Sequence, residues 1–243
     1  MPEDPASLLV TVQGWFLHGD YLTLYDGAPE PDPAASRATL PFSERLAQVE
    51  ALSAAPLSEP RAFDKRVVVT CRDYALALTS LLRAKGREAR LRCGFATYFP
   101  PNRFEDHWIC EYRRPGDTLW QRADAQFDGA HRRHLAISFD PAALPASAFL
   151  TAAEAWKALQ QGRATSDEFR HGSDGGHWFL QVNLARDLLA LAGQVTSPWD
   201  DWRNAGAAKR NANQTRSARI AQAIRQAEAR GPSEERELAP FWL

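Results

Sequence analysis

The stretch that decides the fold runs from Thr70 to Asp128 and contains three short segments: TCRDYA (residues 70–75), EDHW (residues 105–108) and RADAQ (residues 122–126). Apolar residues recur at helical spacing from its start, at Cys71, Ala75, Leu78 and Leu82. Gly86 follows the last of them and is a typical helix stop. The pattern therefore predicts a buried helix that begins at Cys71.

Strands are predicted after this helix. Residues 88–99 become rich in strand formers and end at a Pro-Pro-Asn loop, residues 100–102. Residues 106–113 alternate, with His107, Ile109 and Glu111 on one face. A Pro-Gly-Asp turn at 115–117 then leads into a third strand, residues 119–125. The second and third strands form a predicted hairpin.

The order of Cys71, His107 and Asp124 along these elements suggests nucleophilic chemistry. A helix N-terminus carries about half a positive charge and unpaired N–H groups, which favour a thiolate and can hold an oxyanion. A thiolate nucleophile also needs an imidazole, and the imidazole needs an orienting group. Neighbouring strands could bring His107 and Asp124 within hydrogen-bond reach of each other. Taken singly, each of the three residues has an ordinary structural explanation, and only the triplet favours catalysis.

Four motifs in this stretch resemble the transglutaminase-like superfamily: CRDYA at 71–75, LRCGF at 91–95, DHW at 106–108 and WQRAD at 120–124. The resemblance covers roughly a quarter of the chain, residues 67–128. It implies an α+β fold related to papain, with a central helix on an antiparallel sheet and flanking helices. It also implies that Cys71 is the nucleophile, His107 the general base and acid, and Asp124 the orienting carboxylate. Residues 179–189 and 198–202 resemble bacterial stand-alone members.

The side chain that would complete an oxyanion hole is less well defined. Papain-like enzymes place a Gln shortly before the Cys and animal transglutaminases place a Trp upstream, but residues 64–70 contain neither. Gln13 and Trp15 are candidates far upstream. Trp108 and Trp199 are further candidates for contact with the oxyanion or the substrate.

The resemblance implies thiol-dependent acyl transfer or hydrolysis at an amide, through a thioester on Cys71. The partner would be a peptide, or an amide and an amine, and no cofactor is implied. Coenzyme A-dependent N-acetyltransferase chemistry uses a similar triad, and an idle binding protein is the alternative outside enzymes. A zinc site that combines His107 with the three cysteines lacks the usual close ligand pairs, so no metal is expected.

Composition limits the other function classes. The chain has 243 residues and a net charge of −1, which gives no reason to expect nucleic acid or an acidic membrane as partner. No apolar run approaches the ~20 residues that span a bilayer. Three cysteines fit a reducing cytoplasm.

We predict one domain over residues 1–243, with a catalytic core at about 60–130 and a helical extension at about 150–243. The oligomeric state is open.

Other elements are predicted from local patterns. Residues 8–24 favour a helix, and Ser43 is a candidate N-cap for a helix over 44–52. Residues 135–139 alternate as a short edge strand. Thr151 and Glu154 form a capping box for a helix that ends near Gln161. A loop over 162–176, a helix over 177–192 and a surface helix within 203–230 complete the prediction.

Overall fold

The structure is a computed structural model, and it describes residues 1–38, 40–101, 103–194 and 196. These residues divide into two compact units. The first unit comprises Met1–Arg92 and Trp108–Ala146, and the second comprises Cys93–His107 with the described residues from Ser147 onward. The chain is thus of mixed α+β composition, as the sequence predicts.

The first unit is built mainly from helices around one apolar core. The helices and strands that lie wholly in this unit are α1 (Pro5–Gln13), β1 (Phe16–His18), α2 (Pro33–Arg37), α3 (Phe42–Leu52), β2 (Val67–Val69), α4 (Cys71–Ala84), β5 (Gln121–Ala123) and α5 (Gly129–His134). Strands β1 and β2 pair in parallel, with Phe16 opposite Val67. Short 3₁₀ turns occupy Gly19–Leu24 and Phe63–Lys65.

Helix α4 forms where the periodicity predicts it and lies in that core. Its buried face carries Tyr74, Leu78 and Leu82, which pack with residues of α1 and of the sheet. Arg83 in the last turn is a cation near the negative end of the helix dipole. Gly86 adopts φ +71° just after the C-cap, a left-handed conformation that ends the helix.

The second unit contains β6 (Phe149–Thr151), α6 (Ala152–Gln160), β7 (Phe169–His171), β8 (Asp174–Gly175) and α7 (His177–Leu191). The predicted capping box is confirmed, because Thr151 N donates to Glu154 Oε2 and Glu154 N donates to Thr151 Oγ1. Phe95, Phe104 and Phe169 are central to the apolar core of this unit.

Strands β3 (Ala89–Ala96) and β4 (Phe104–Tyr112) are long and contribute residues to both units. They belong to a six-stranded sheet with the order β6-β3-β4-β7-β8, in which β5 also pairs with β4. The predicted β4–β5 hairpin is confirmed by antiparallel pairing of Cys110 with Ala123. The prediction of an antiparallel sheet is wrong, because β4 and β7 pair in parallel through Phe104 and Phe169. A parallel neighbour arrives after a long connection, so no hairpin signal announces it.

Three local predictions are corrected. Residues 8–24 form α1, β1 and a 3₁₀ turn rather than one helix, because a short buried strand such as β1 has no distinguishing period. Helix α3 begins at Phe42 with Pro41 as N-cap, so Ser43 lies inside it. Residues 162–176 include β7 and β8 rather than only a loop.

The predicted edge strand over 135–139 does not form. Its residues follow α5, and the Ile137 backbone N–H donates to the Arg132 carbonyl over 2.9 Å. Ala136 between them has φ +53°. These contacts close the end of a helix, which removes the backbone groups that a strand would use.

Among the described residues, no helix is long and apolar enough to cross a membrane. Trp199 and the predicted surface helix within 203–230 lie outside the described residues. The helix predicted over 177–192 is confirmed as α7.

Gly94 on β3 has no room for a side chain, which gives a test of strand packing. A Cβ at this position would lie 2.1 Å from the Leu150 carbonyl oxygen and 2.8 Å from Phe149 Cζ. We expect Gly94→Ala to lower the free energy of unfolding by about 3 kcal/mol, because β3 and β6 must separate. Urea denaturation measures the change. Gly129→Ala is the matched control, since its nearest neighbour is the movable Arg133 side chain. Equal effects of the two variants would contradict this packing.

Candidate active site

Cys71 occupies the first position of α4. The preceding residue, Thr70, is the N-cap with extended backbone (φ −115°, ψ 171°). All three cysteines are free thiols, but Cys71 is only partly buried whereas Cys93 and Cys110 are buried. The cysteine predicted to react is therefore the one that is not fully buried, and it lies at the positive end of a helix dipole.

A buried ion cluster holds the first turn of α4. Asp73 Oδ1 accepts from Arg45 Nε at 3.0 Å and from Arg72 Nη2 at 2.7 Å. Asp73 Oδ2 accepts from the Thr70 backbone N–H at 3.3 Å. Arg45, Arg72 and Asp73 are each only 1 % exposed. The cluster ties the helix start, and with it Cys71, to α3.

The other two cysteines, Cys93 and Cys110, are buried in the protein interior. Burial raises the pKa of the Cys110 thiol to about 12. Cys93 is fully buried, with its sulfur 3.0 Å from Asn183 Oδ1 and its backbone N–H donating to Asp187. Both agree with the interpretation of Cys93 and Cys110 as buried strand thiols.

His107 lies on β4, in the part of the strand that belongs to the second unit. Its side chain is buried. Its ring contacts Phe99 at 4.9 Å and Tyr98 at 5.9 Å between centroids. Aromatic packing of this kind limits the orientations of an imidazole.

Asp124 follows β5 directly, in the same unit as Cys71. It is 1 % exposed, and its Oδ1 accepts from the Gln126 backbone N–H at 2.9 Å. Burial, and to a smaller extent nearby negative charges that include Asp124, raise the pKa of Tyr74 well above its ordinary value.

The side chains predicted to hold the oxyanion or contact the substrate differ in burial and in hydrogen bonding. Gln13 ends α1 and its Nε2 donates to the Phe127 carbonyl at 2.8 Å. Trp15 is fully buried and donates its indole N–H to the Leu57 carbonyl, so it is a core residue. Trp108 is also fully buried. The oxyanion roles of Gln13 and Trp108 stay predictions.

One polar cluster was not apparent from the sequence. The Tyr25 hydroxyl lies 2.9 Å from Asp128 Oδ2 and 2.8 Å from His131 Nδ1, and His131 Nδ1 lies 3.1 Å from Asp128 Oδ1. Burial alone would raise the pKa of Asp128, but hydrogen bonds from His131 and Tyr25 hold it below its ordinary value. Burial and the charge of Asp128 raise the pKa of Tyr25 far above its ordinary value. Tyr25 is more than 100 positions from both Asp128 and His131, and no short motif joins it to them.

Within the described part of the chain, no group of three His, Cys, Asp or Glu side chains is placed to hold a metal ion. Comparison of the chain with protein-family models, curated proteins and solved structures finds no match. The candidate site therefore rests on the chemistry and placement of its own residues.

Proposed function

We propose that the protein is a cysteine-dependent acyltransferase or amidohydrolase of transglutaminase-like type, with Cys71, His107 and Asp124 as its triad and a papain-like core. The observation that carries the proposal is the position of Cys71: a free, partly exposed thiol at the first position of a buried helix. The buried state of the other two cysteines supports the same choice of nucleophile.

The proposed reaction has two steps. The Cys71 thiolate attacks the carbonyl carbon of an amide, and the Cys71 backbone N–H helps to hold the oxyanion. The C–N bond then breaks, His107 gives a proton to the leaving amine, and a thioester remains. In the second step an amine or water attacks the thioester, His107 takes its proton, and the C–S bond breaks to restore the thiolate. Asp124 orients the imidazole of His107 through both steps.

Selective alkylation tests the nucleophile. We expect iodoacetamide near neutral pH to modify Cys71 rapidly and stoichiometrically, because Cys71 is the one cysteine that is not fully buried and the proposed mechanism makes it the nucleophile. Cys93 and Cys110 should stay unmodified in the folded protein because both are buried. Peptide mass spectrometry of the labelled chain locates the modification and its rate.

The matched variants are Cys71→Ala and His107→Ala. Each should abolish transfer of a fluorescent primary amine to a peptide amide, and hydrolysis of that amide, while circular dichroism shows an unchanged fold. His107→Ala should also slow the alkylation of Cys71, since the imidazole no longer supports the thiolate. A slow, unselective alkylation of Cys71 in the unaltered chain would favour an idle binding protein. Unchanged turnover in either variant would remove the mechanism.

A further inference from the structure

A cleft in the first unit lies outside the proposed triad. It encloses about 420 Å³ and is lined by residues of two loop segments, with Arg61 and Arg66 from one and Asp26 from the other. Phe63 and Asp64 also line it. No motif in the sequence predicts a function for these residues. Concave sites with a few charged groups are where small molecules usually bind.

Arg61 is a buried cation with no acid at ion-pair distance in the described part of the chain, although the charge of Glu50 acts on it from farther away. Its side chain donates only to backbone carbonyls, from Nη1 to Glu59 at 3.4 Å and from Nη2 to Ala55 at 3.3 Å. Both are long hydrogen bonds, and Nε is buried without any acceptor among the described residues. Arg61 is 4 % exposed. Burial lowers the pKa of its guanidinium, which reflects the cost of keeping a charge away from water.

Arg66, which is only partly buried, also lines the cleft. Its Nε donates to the Arg61 carbonyl at 2.9 Å and its Nη1 to the Gln13 carbonyl at 3.0 Å. The guanidinium lies over the Phe63 ring at 4.7 Å, which orients it. No carboxylate forms an ion pair with it among the described residues. Each guanidinium has several N–H donors, so both arginines keep donors for a ligand.

The lining of the cleft also contains two acidic residues. Asp26 and Asp64 are exposed, and Asp64 pairs loosely with Lys65 at 3.4 Å. A simple anion would be attracted by the arginines and repelled by these carboxylates. A molecule that carries both an oxyanion and an ammonium matches both kinds of charge in the lining.

We propose that this cleft binds a small zwitterion, whose carboxylate or phosphate contacts Arg61 and Arg66 and whose ammonium faces Asp26 and Asp64. The site does not depend on the proposed triad. Binding supplies the anion that neither guanidinium has at ion-pair distance, so an oxyanion offsets part of the cost of burying Arg61.

Isothermal titration of the full chain tests this site with two pairs of probes. β-Alanine is compared with propionate for a carboxylate, and O-phosphoethanolamine with inorganic phosphate for a phosphate. We expect saturable binding of one zwitterion, at least about tenfold tighter than its partner without the ammonium, as a charge-assisted hydrogen bond would give. The pair that binds identifies the oxyanion.

Substitutions test the arginines and the carboxylates of the cleft separately. Arg66→Gln should weaken the bound zwitterion by at least about tenfold, and Arg61→Gln should do the same if that variant folds. Asp26→Asn with Asp64→Asn changes only exposed residues and should remove the preference for the ammonium. Arg132→Gln is the control, an exposed arginine of the same unit outside the lining. Absence of binding by all four probes, equal affinity within both pairs, or unaltered affinity in Arg66→Gln would overturn the proposal.

Discussion

Asp73→Asn is expected to lower the free energy of unfolding by about 3–5 kcal/mol, because it removes the acid of a buried ion cluster. Arg45 and Arg72 would keep their charges in a site where each is 1 % exposed. The carbonyls that also accept from Arg45, at Ala35, Ser36 and Ala38, neutralise no charge. Urea denaturation at pH 7 measures the loss.

Asp64→Asn is the matched control for this change. Asp64 also pairs with a cation, Lys65, but both side chains are more than half exposed. An exposed ion pair contributes about 0–1 kcal/mol, so this variant should unfold almost as the unaltered protein does. If Asp73→Asn were as mild as Asp64→Asn, the cluster would not hold the start of α4, and the rigid placement of Cys71 would lose its support.

Glu111→Gln is the second change with a large expected effect, about 3 kcal/mol of unfolding free energy. Glu111 is 2 % exposed, and its carboxylate accepts from three arginines. The distances are 2.7 Å to Arg90, 2.9 Å to Arg92 and 3.1 Å to Arg122. Glutamine removes the negative charge that the Glu111 carboxylate places 2.9 Å from the fully buried Arg92.

The pH dependence of this loss follows from the pKa of Glu111. Burial alone would raise it, but the charges of the three arginines outweigh burial and lower it from 4.5 to about 2. Between these values the unfolded chain binds more protons at this position than the folded chain. The contribution of Glu111 is therefore complete above about pH 4.5 and is lost as the pH falls towards 2.

Urea denaturation from pH 7 down to pH 3 tests both statements. The difference in unfolding free energy between Glu111→Gln and the unaltered protein should be constant above about pH 5 and shrink below it. Glu88→Gln is the control, because Glu88 is 62 % exposed in its pair with Arg113. A difference that does not change with pH would show that Glu111 contributes by shape rather than by charge.

Local elements with a strong period were predictable from the sequence. Helix α4 has its first residue at Cys71 as predicted. Its amphipathic pattern and its stop at Gly86 both depend on residues that are close together in the chain. The same holds for the capping box of α6 and for the β4–β5 hairpin. Strands β1, β7 and β8 were not predicted, because a segment of three residues or fewer is too short to show the alternation of a strand.

The candidate site also has features that were predictable from the sequence and features that were not. The choice of Cys71 over the other cysteines was available from the sequence, since only its segment starts a helix. The buried partners of Asp73 and Glu111 were not, because Arg45 lies 28 residues from Asp73 and Arg92 lies 19 residues from Glu111. Nor was the cleft at Arg61 and Arg66, because only the tertiary structure shows that neither guanidinium has an acid at ion-pair distance.

By itself the sequence determined the elements whose hydrogen bonds and apolar contacts are local: the helix that begins at Cys71, its stop at Gly86, and the hairpin that leads to Asp124. The tertiary structure alone decided the parallel pairing of β4 with β7, the cluster of Tyr25, Asp128 and His131, and which buried charges have partners. The physical reason is range. Helix and hairpin contacts form between residues close in the chain, whereas pairing of distant strands and burial of charge depend on what the whole fold brings together.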